Sequence, residues 1–342
     1  MKIPEKYYFY PMKVFVNDIR SELIGEILKE YPIRNGFFDR QFLSIETNRE
    51  TKLRMYFYAA GICHQTRSLI DKSRNLAGWE YLEDVFLKLA LEGSRFLHPE
   101  YLASINTKEI IEQLQILFSY NGQPANCTLD RLGERKRMLK EMAVFLNGEY
   151  DNSAAKFFDE SDGFLLNKGK GYYESLEKLE AYCDPKKKKI TFFLKLASDA
   201  KTIEIKDKKN IIPIMDYHMQ RVLLRMGCVE TDDKTQDRLI KKETFSSDTE
   251  IREACIGSIK TIAETSGHHI LSMNDYFWPL GRSCCNESPL CHSNSCSKKP
   301  CTFFNMVELL EHKNCIFENA CKGAKNKNYR LIWEPMVETH YY

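Results

Sequence analysis

No apolar run in the 342-residue chain approaches the roughly 18 residues that span a bilayer, so no membrane helix is expected. Its opening, MKIPEKYYFYPMKVFV, has neither a long apolar core nor a small-residue cleavage site. A secretory signal is therefore not expected, and a cytoplasmic protein is. Charge of one sign is also missing: 50 Lys and Arg against 48 Asp and Glu leave a formal net charge of +2. That excludes a globally basic surface, so any nucleic-acid face must be local. The chain shows no internal repeat and no low-complexity linker. It has no GxGxxG, Walker A or HExxH signature, which removes the motif-based dinucleotide, P-loop and zinc-peptidase readings. Strand candidates are few, and TIEIK (202–206) is the best of them.

What is present is helical periodicity. Apolar residues recur at three and four over 17–31, 54–66, 78–97, 107–120, 131–150, 171–182, 190–200 and 248–264. Asn106 is the N-cap candidate of the fourth segment. An all-α fold follows, and the length suffices for one large or two medium domains.

Cysteine is abundant and uneven. Seven of the 12 lie between Cys284 and Cys321. In a chain expected to be cytoplasmic, such a cluster reads as a metal site rather than a disulfide set. Cys63, Cys127, Cys183, Cys228 and Cys255 are scattered and read as small buried hydrophobes. From Gly281 the text GRSCCNESPLCHSNSCSKKPC is too rich in Cys, Ser and Pro for a helix, so something other than apolar burial must order it. Four thiolates would serve an iron–sulfur cluster or tetrahedral zinc equally. His292 and His312 are expected at the surface.

The run Lys186–Lys189 opens an apolar helix just after the turn pair Asp184-Pro185. Positive charge at a helix start opposes the helix dipole, so the run reads as a solvated patch, a polyanion site or a reactive amine. Between Lys186 and Lys209 nine lysines face three acids, which makes a local basic stretch. Beyond it, IIPIMDYHMQR (211–221) places Asp216 where an N-cap belongs, after Pro213. Such a carboxylate is fixed and favoured in its charged form.

These residues resemble the helix-hairpin-helix DNA glycosylase superfamily, most nearly its archaeal 8-oxoguanine glycosylase branch. The resemblance rests on KKITFFLK (188–195), IIPIMDYHMQR and the segment 39–82 with Gln41 and Trp79. It implies a two-lobed helical fold. It implies that Lys188 is the nucleophilic amine, with Lys187 and Lys189 adjoining it as alternatives, and that Asp216 is the catalytic carboxylate. Gln41 would read a flipped base and Trp79 would stack on it. Lys186, Lys187, Lys189 and Arg221 would meet DNA phosphates, and His218 faces the sugar-phosphate or solvent. Gly281-Arg282-Ser283-Cys284-Cys285 and Cys315-x5-Cys321 resemble the endonuclease III cysteine loop. That loop implies a [4Fe–4S] cluster on four of Cys285, Cys291, Cys296, Cys301, Cys315 and Cys321, the first choice being Cys285, Cys291, Cys315 and Cys321. Structural zinc is the alternative.

The expected division is a base-recognition region over 1–170, a helix-hairpin-helix catalytic region over 171–280, and a metal loop with tail over 281–342. The implied activity is excision of a damaged or modified base by a monomer, with or without lyase chemistry. The other readings are an N-glycosylase for free nucleotides or nucleosides, as in queuosine salvage, and a non-catalytic DNA-binding module.

Overall fold

Helices dominate the computed structural model, which describes residues 12–34, 38–296 and 298–342. The expected helical segments form Asp18–Leu28, Arg49–Gly61, Trp79–Leu91, Thr107–Leu117, Leu132–Glu149, Lys188–Asp199 and Thr249–Ser266. The 171–182 segment is shorter than its pattern: a helix over Tyr172–Leu176 and a 3-10 turn over Glu180–Tyr182. Caps set the starts. Asn106 accepts from the Lys108 and Glu109 amides, and Asn17 and Asn48 cap the helices that follow them.

TIEIK is not a strand: 202–206 runs as an irregular loop held by Thr202 to Ala197 and Lys206 to Gly163. Its alternating apolar residues have no neighbouring strand to pair with. The strands lie elsewhere and are short. Val14–Val16 pairs antiparallel with Val229–Thr231, and Ile70–Asp71 pairs with Leu76–Ala77. No described helix is long and apolar enough to cross a membrane.

The chain forms two compact units, and they do not follow the sequential three-part division expected above. One joins the Met1–Ile33 segment to Met215–Glu338; the other is Arg34–Ile214 with Thr339–Tyr342. The first unit is built on the packing of Asp18–Leu28 against Thr249–Ser266 and on the Val14–Val16 pairing. Its cysteine-rich stretch is therefore continuous with a helical core, not a separate region. The second unit packs Arg49–Gly61 against Lys188–Asp199 and Trp79–Leu91. Its core is aromatic: Phe57, Tyr182 and Phe193 are in mutual ring contact, and Phe158 packs on Phe193.

Candidate functional site

In the Arg34–Ile214 unit the lysine run is not one surface. Asp184 is buried and caps the helix from a distance. Its carboxylate accepts from the Lys186 amide at 3.0 Å and the Lys188 amide at 2.9 Å, and its carbonyl from the Lys187 amide. Lys187 takes a left-handed conformation at the turn and pairs with Glu177. This capping carboxylate offsets the positive charge at the helix start.

Lys188 begins the helix and is nearly buried. Its ammonium meets the Cys63 Sγ at 3.6 Å and lies 5.4 Å from the centre of the Phe192 ring, one turn on. Phe192 in turn meets Trp79 edge to face, with centroids 4.7 Å apart. Trp79 is half-buried, donates its indole N–H to Glu83 at 2.7 Å, and also contacts Phe42. Gln41, exposed, immediately precedes Phe42. Three separate helices thus bring Phe42, Trp79 and Lys188 to one aromatic cluster. Phe192 is the member the sequence reading missed; its spacing of four from Lys188 was the available signal.

Lys189 does not meet phosphate. It is fully buried, donating to the Gly61 carbonyl at 2.8 Å and meeting His64 Nδ1 at 3.2 Å. Burial pulls its pKa down to about 7; Lys188 and Arg135 lower it further, while Cys63 opposes them. His64 is likewise held well below its usual range by burial, then by Lys189 and Arg135. Lys186 remains half-exposed, and Lys201, Lys206, Lys208 and Lys209 are exposed.

In the other unit, Asp216 is the N-cap of Tyr217–Met226 as expected, accepting from the Met219 amide at 3.0 Å. The loop that leads to it is fixed within the Arg34–Ile214 unit. The Ile212 amide donates to the Tyr173 hydroxyl at 3.0 Å, and that hydroxyl meets Thr191 Oγ1 at 2.9 Å.

Arg221 does not face a phosphate. Buried, it donates to the carbonyls of Cys285 (3.1 Å) and Gly281 (2.6 Å), pairs with Glu334 and meets His218 Nδ1. Its helix passes so close to Gly281 that a Cβ there would stand 2.7 Å from the His218 carbonyl oxygen. That contact explains the glycine of the Gly281-Arg282 text. His268 and His269 are also structural: His268 meets the Leu28 carbonyl, and His269 caps the turn Ile270–Ser272.

The cysteines sort into two neighbourhoods. Cys284, Cys296, Cys301 and His312 bring three Sγ and one imidazole nitrogen within 4.8 Å of one another, and these four could bind a metal ion. Cys284 and His312 lay outside the expected ligands. His312 joins this group instead of lying free at the surface, whereas His292 is exposed. Cys285, Cys291, Cys315 and Cys321 fall outside the compact group. Burial pushes the Cys315 thiol well up, and the thiols of Cys285, Cys321 and Cys291 push it further. Cys321 is pushed up to about 12 by burial and by Cys285 and Cys291. Arg225 serves two of these thiols: its guanidinium donates to Cys285 Sγ at 3.6 Å and its carbonyl accepts from Cys321 Sγ at 3.6 Å. Of these four cysteines, Cys321 is buried and Cys285, Cys291 and Cys315 are half-buried.

No protein-family model and no curated protein matches this chain.

Proposed function

We propose that the chain is a base-excising DNA N-glycosylase with lyase capacity. The observation that carries the proposal is the shared aromatic cluster: Phe192 contacts both the Lys188 ammonium and Trp79, and Trp79 contacts Phe42, which Gln41 precedes in the chain. A base-flipping enzyme needs a π surface, an amide for the base edge and a nucleophile near the sugar. In this reading the Lys188 side chain attacks C1′ of the deoxyribose through its nitrogen lone pair. The glycosidic bond breaks with its electron pair going to the base, which takes up a proton. Loss of the amine proton and opening of the sugar ring give a Schiff base. Asp216 is the carboxylate that the resemblance assigns to this reaction, and within its own unit it is held as an N-cap. The exposed lysines of 201–209 supply the basic stretch toward phosphate. Cys285, Cys291, Cys315 and Cys321 would hold a [4Fe–4S] cluster of structural role.

One observation favours a second reading. Lys189 and Arg221 are buried and Lys187 is paired with Glu177, so three of the four charges expected at DNA phosphates are engaged within the protein. That pattern fits a smaller substrate, a free nucleotide or nucleoside whose N-glycosidic bond is cleaved.

Borohydride trapping separates the two. Duplexes carrying a panel of modified bases are incubated with the protein and reductant, and free nucleotides are assayed in parallel for base release. A reduced adduct with duplex DNA, absent in Lys188→Ala, is the expected result. Release from free nucleotides with none from any duplex overturns the DNA assignment.

A further inference from the structure

The neighbouring residues Cys284 and Cys285 belong to different groups. Cys284 is buried, with its Sγ 3.5 Å from Cys301 Sγ and 3.6 Å from His312 Nε2. Cys285 is turned to Arg225, whose carbonyl also receives the Cys321 thiol. The division falls at the end of the π-helical turn Leu280–Cys284, where the Cys285 amide closes onto the Leu280 carbonyl at 2.7 Å. Two adjacent side chains leaving such a turn point in different directions. All seven cysteines of 284–321 are thereby divided, four to one group and three, with His312, to the other.

The size of the Cys284 group selects its ion. Tetrahedral zinc, with Zn–S of about 2.3 Å and Zn–N of about 2.0–2.1 Å, spaces its donor atoms about 3.5–3.8 Å apart. The Cys284–Cys301 and Cys284–His312 separations match that spacing, and the whole group stays within 4.8 Å. A cubane cluster cannot be held so tightly, because each thiolate binds a different iron and an iron–iron edge lies between them. Three thiolates and one imidazole are a common zinc donor set.

The surroundings fit thiolate ligands. The Phe304 amide points at Cys301 Sγ at 3.4 Å, and the Ser283 hydroxyl lies 3.4 Å from the same sulfur and 3.7 Å from Cys284 Sγ. The amide stabilises a metal-bound thiolate and holds its orientation. The His312 ring packs on Phe304, which fixes its plane with Nε2 toward the sulfurs.

We propose that this unit carries two independent metal centres: a zinc ion on Cys284, Cys296, Cys301 and His312, separate from a cluster on Cys285, Cys291, Cys315 and Cys321. The zinc pins the loop 285–311 at both its ends and near its middle. The second half of the statement rests on the cluster assigned under the proposed function; the zinc site rests on its own geometry.

The full chain, purified without oxygen, is analysed for zinc and iron by mass spectrometry, with absorbance near about 400 nm following the cluster. One zinc per chain together with iron absorbance is expected. Cys301→Ser loses the zinc and keeps the absorbance, and Cys291→Ser does the reverse. Zinc-edge X-ray absorption on the unaltered chain requires no variant to fold: three sulfurs at about 2.3 Å and one nitrogen at about 2.0 Å are expected. Loss of both metals in either soluble variant, an all-sulfur zinc shell, or a zinc-free chain with a Cys284–Cys301 disulfide each overturns the proposal. Zinc with no iron keeps the Cys3His site and overturns the second centre. None of these readings uses base release. A chain with both metals and no glycosylase activity would sink the proposed function alone.

Discussion

The ammonium of Lys189 meets the imidazole Nδ1 of His64 at 3.2 Å, inside the protein and beside the Gly61 carbonyl. A cation placed there costs stability. The unfolded chain holds the lysine proton up to its ordinary pKa of 10.5, whereas the folded chain releases it near 7. Between those values the unfolded state carries the extra proton, so stability rises with pH, by at most about 1.4 kcal/mol per unit. Below 7 both states are protonated and the penalty is complete. His64, held neutral, adds a further loss below its usual 6.5. Urea unfolding between pH 7 and 9 should show the rise, and Lys189→Met should flatten it. An equal slope in the variant would contradict the assignment.

Lys188 and Lys189 should separate cleanly on substitution. Lys188→Ala is expected to abolish the borohydride adduct while shifting the unfolding midpoint little. Lys189→Ala leaves the Gly61 carbonyl and His64 without their donor, so it should destabilise by about 1–3 kcal/mol. Trapping and unfolding measured on both variants check this, and an adduct that survives Lys188→Ala but vanishes in a folded Lys189→Ala reassigns the nucleophile.

Trp79→Ala should lower kcat/KM for base release by about 10- to 100-fold, the scale of one base stacked on an aromatic ring. Trp79→Phe keeps a π face but loses the bond to Glu83, and should fall between the two. Steady-state kinetics decide it; no change in Trp79→Ala would remove Trp79 from the site.

Asp184→Ala should destabilise the chain by about 1–2 kcal/mol, since it strips the carboxylate from the Lys186 and Lys188 amides and leaves the lysine-rich helix start uncapped. Asp184→Asn keeps an acceptor and should lose less. Urea midpoints give the ranking.

Arg221→Met leaves Glu334 buried without its cation, a change that costs about 3–5 kcal/mol. It also removes one of the two guanidinium donors on the Cys285 carbonyl, Arg225 being the other, so any absorbance near about 400 nm from a cluster on Cys285 should weaken as well. Thermal unfolding and the spectrum are read on the same sample; an unchanged midpoint would show the pair to be dispensable.

The periodic helices and the Asn106 and Asp216 caps were legible in the sequence because each depends on neighbours three or four residues away. TIEIK misled because alternation marks a strand only where a partner strand exists. Asp184 was overlooked because its carboxylate reaches the helix start around a turn, past a lysine in a left-handed conformation. The burial of Lys189 and Arg221 was hidden for a similar reason: their partners, Gly61, His64, Gly281 and Glu334, lie far off in the chain. The cysteine-rich stretch announced metal chemistry, but ligand spacing alone did not divide it. His312 resembles any surface histidine until the fold brings it to the sulfurs, and the Cys284-Cys285 doublet was the one local sign of two destinations.

The pairing of Val14–Val16 with Val229–Thr231, and of Asp18–Leu28 with Thr249–Ser266, sets an order of events during synthesis. The first helix leaves the ribosome long before the helix that covers it. Until then its apolar face has no partner within its own unit, while nearly all of the Arg34–Ile214 unit is already available to fold. The inserted unit can therefore be finished first, and the split one closes around its early strand only when the late helices arrive. A chaperone that shields apolar helices would have its longest window on residues 14–28.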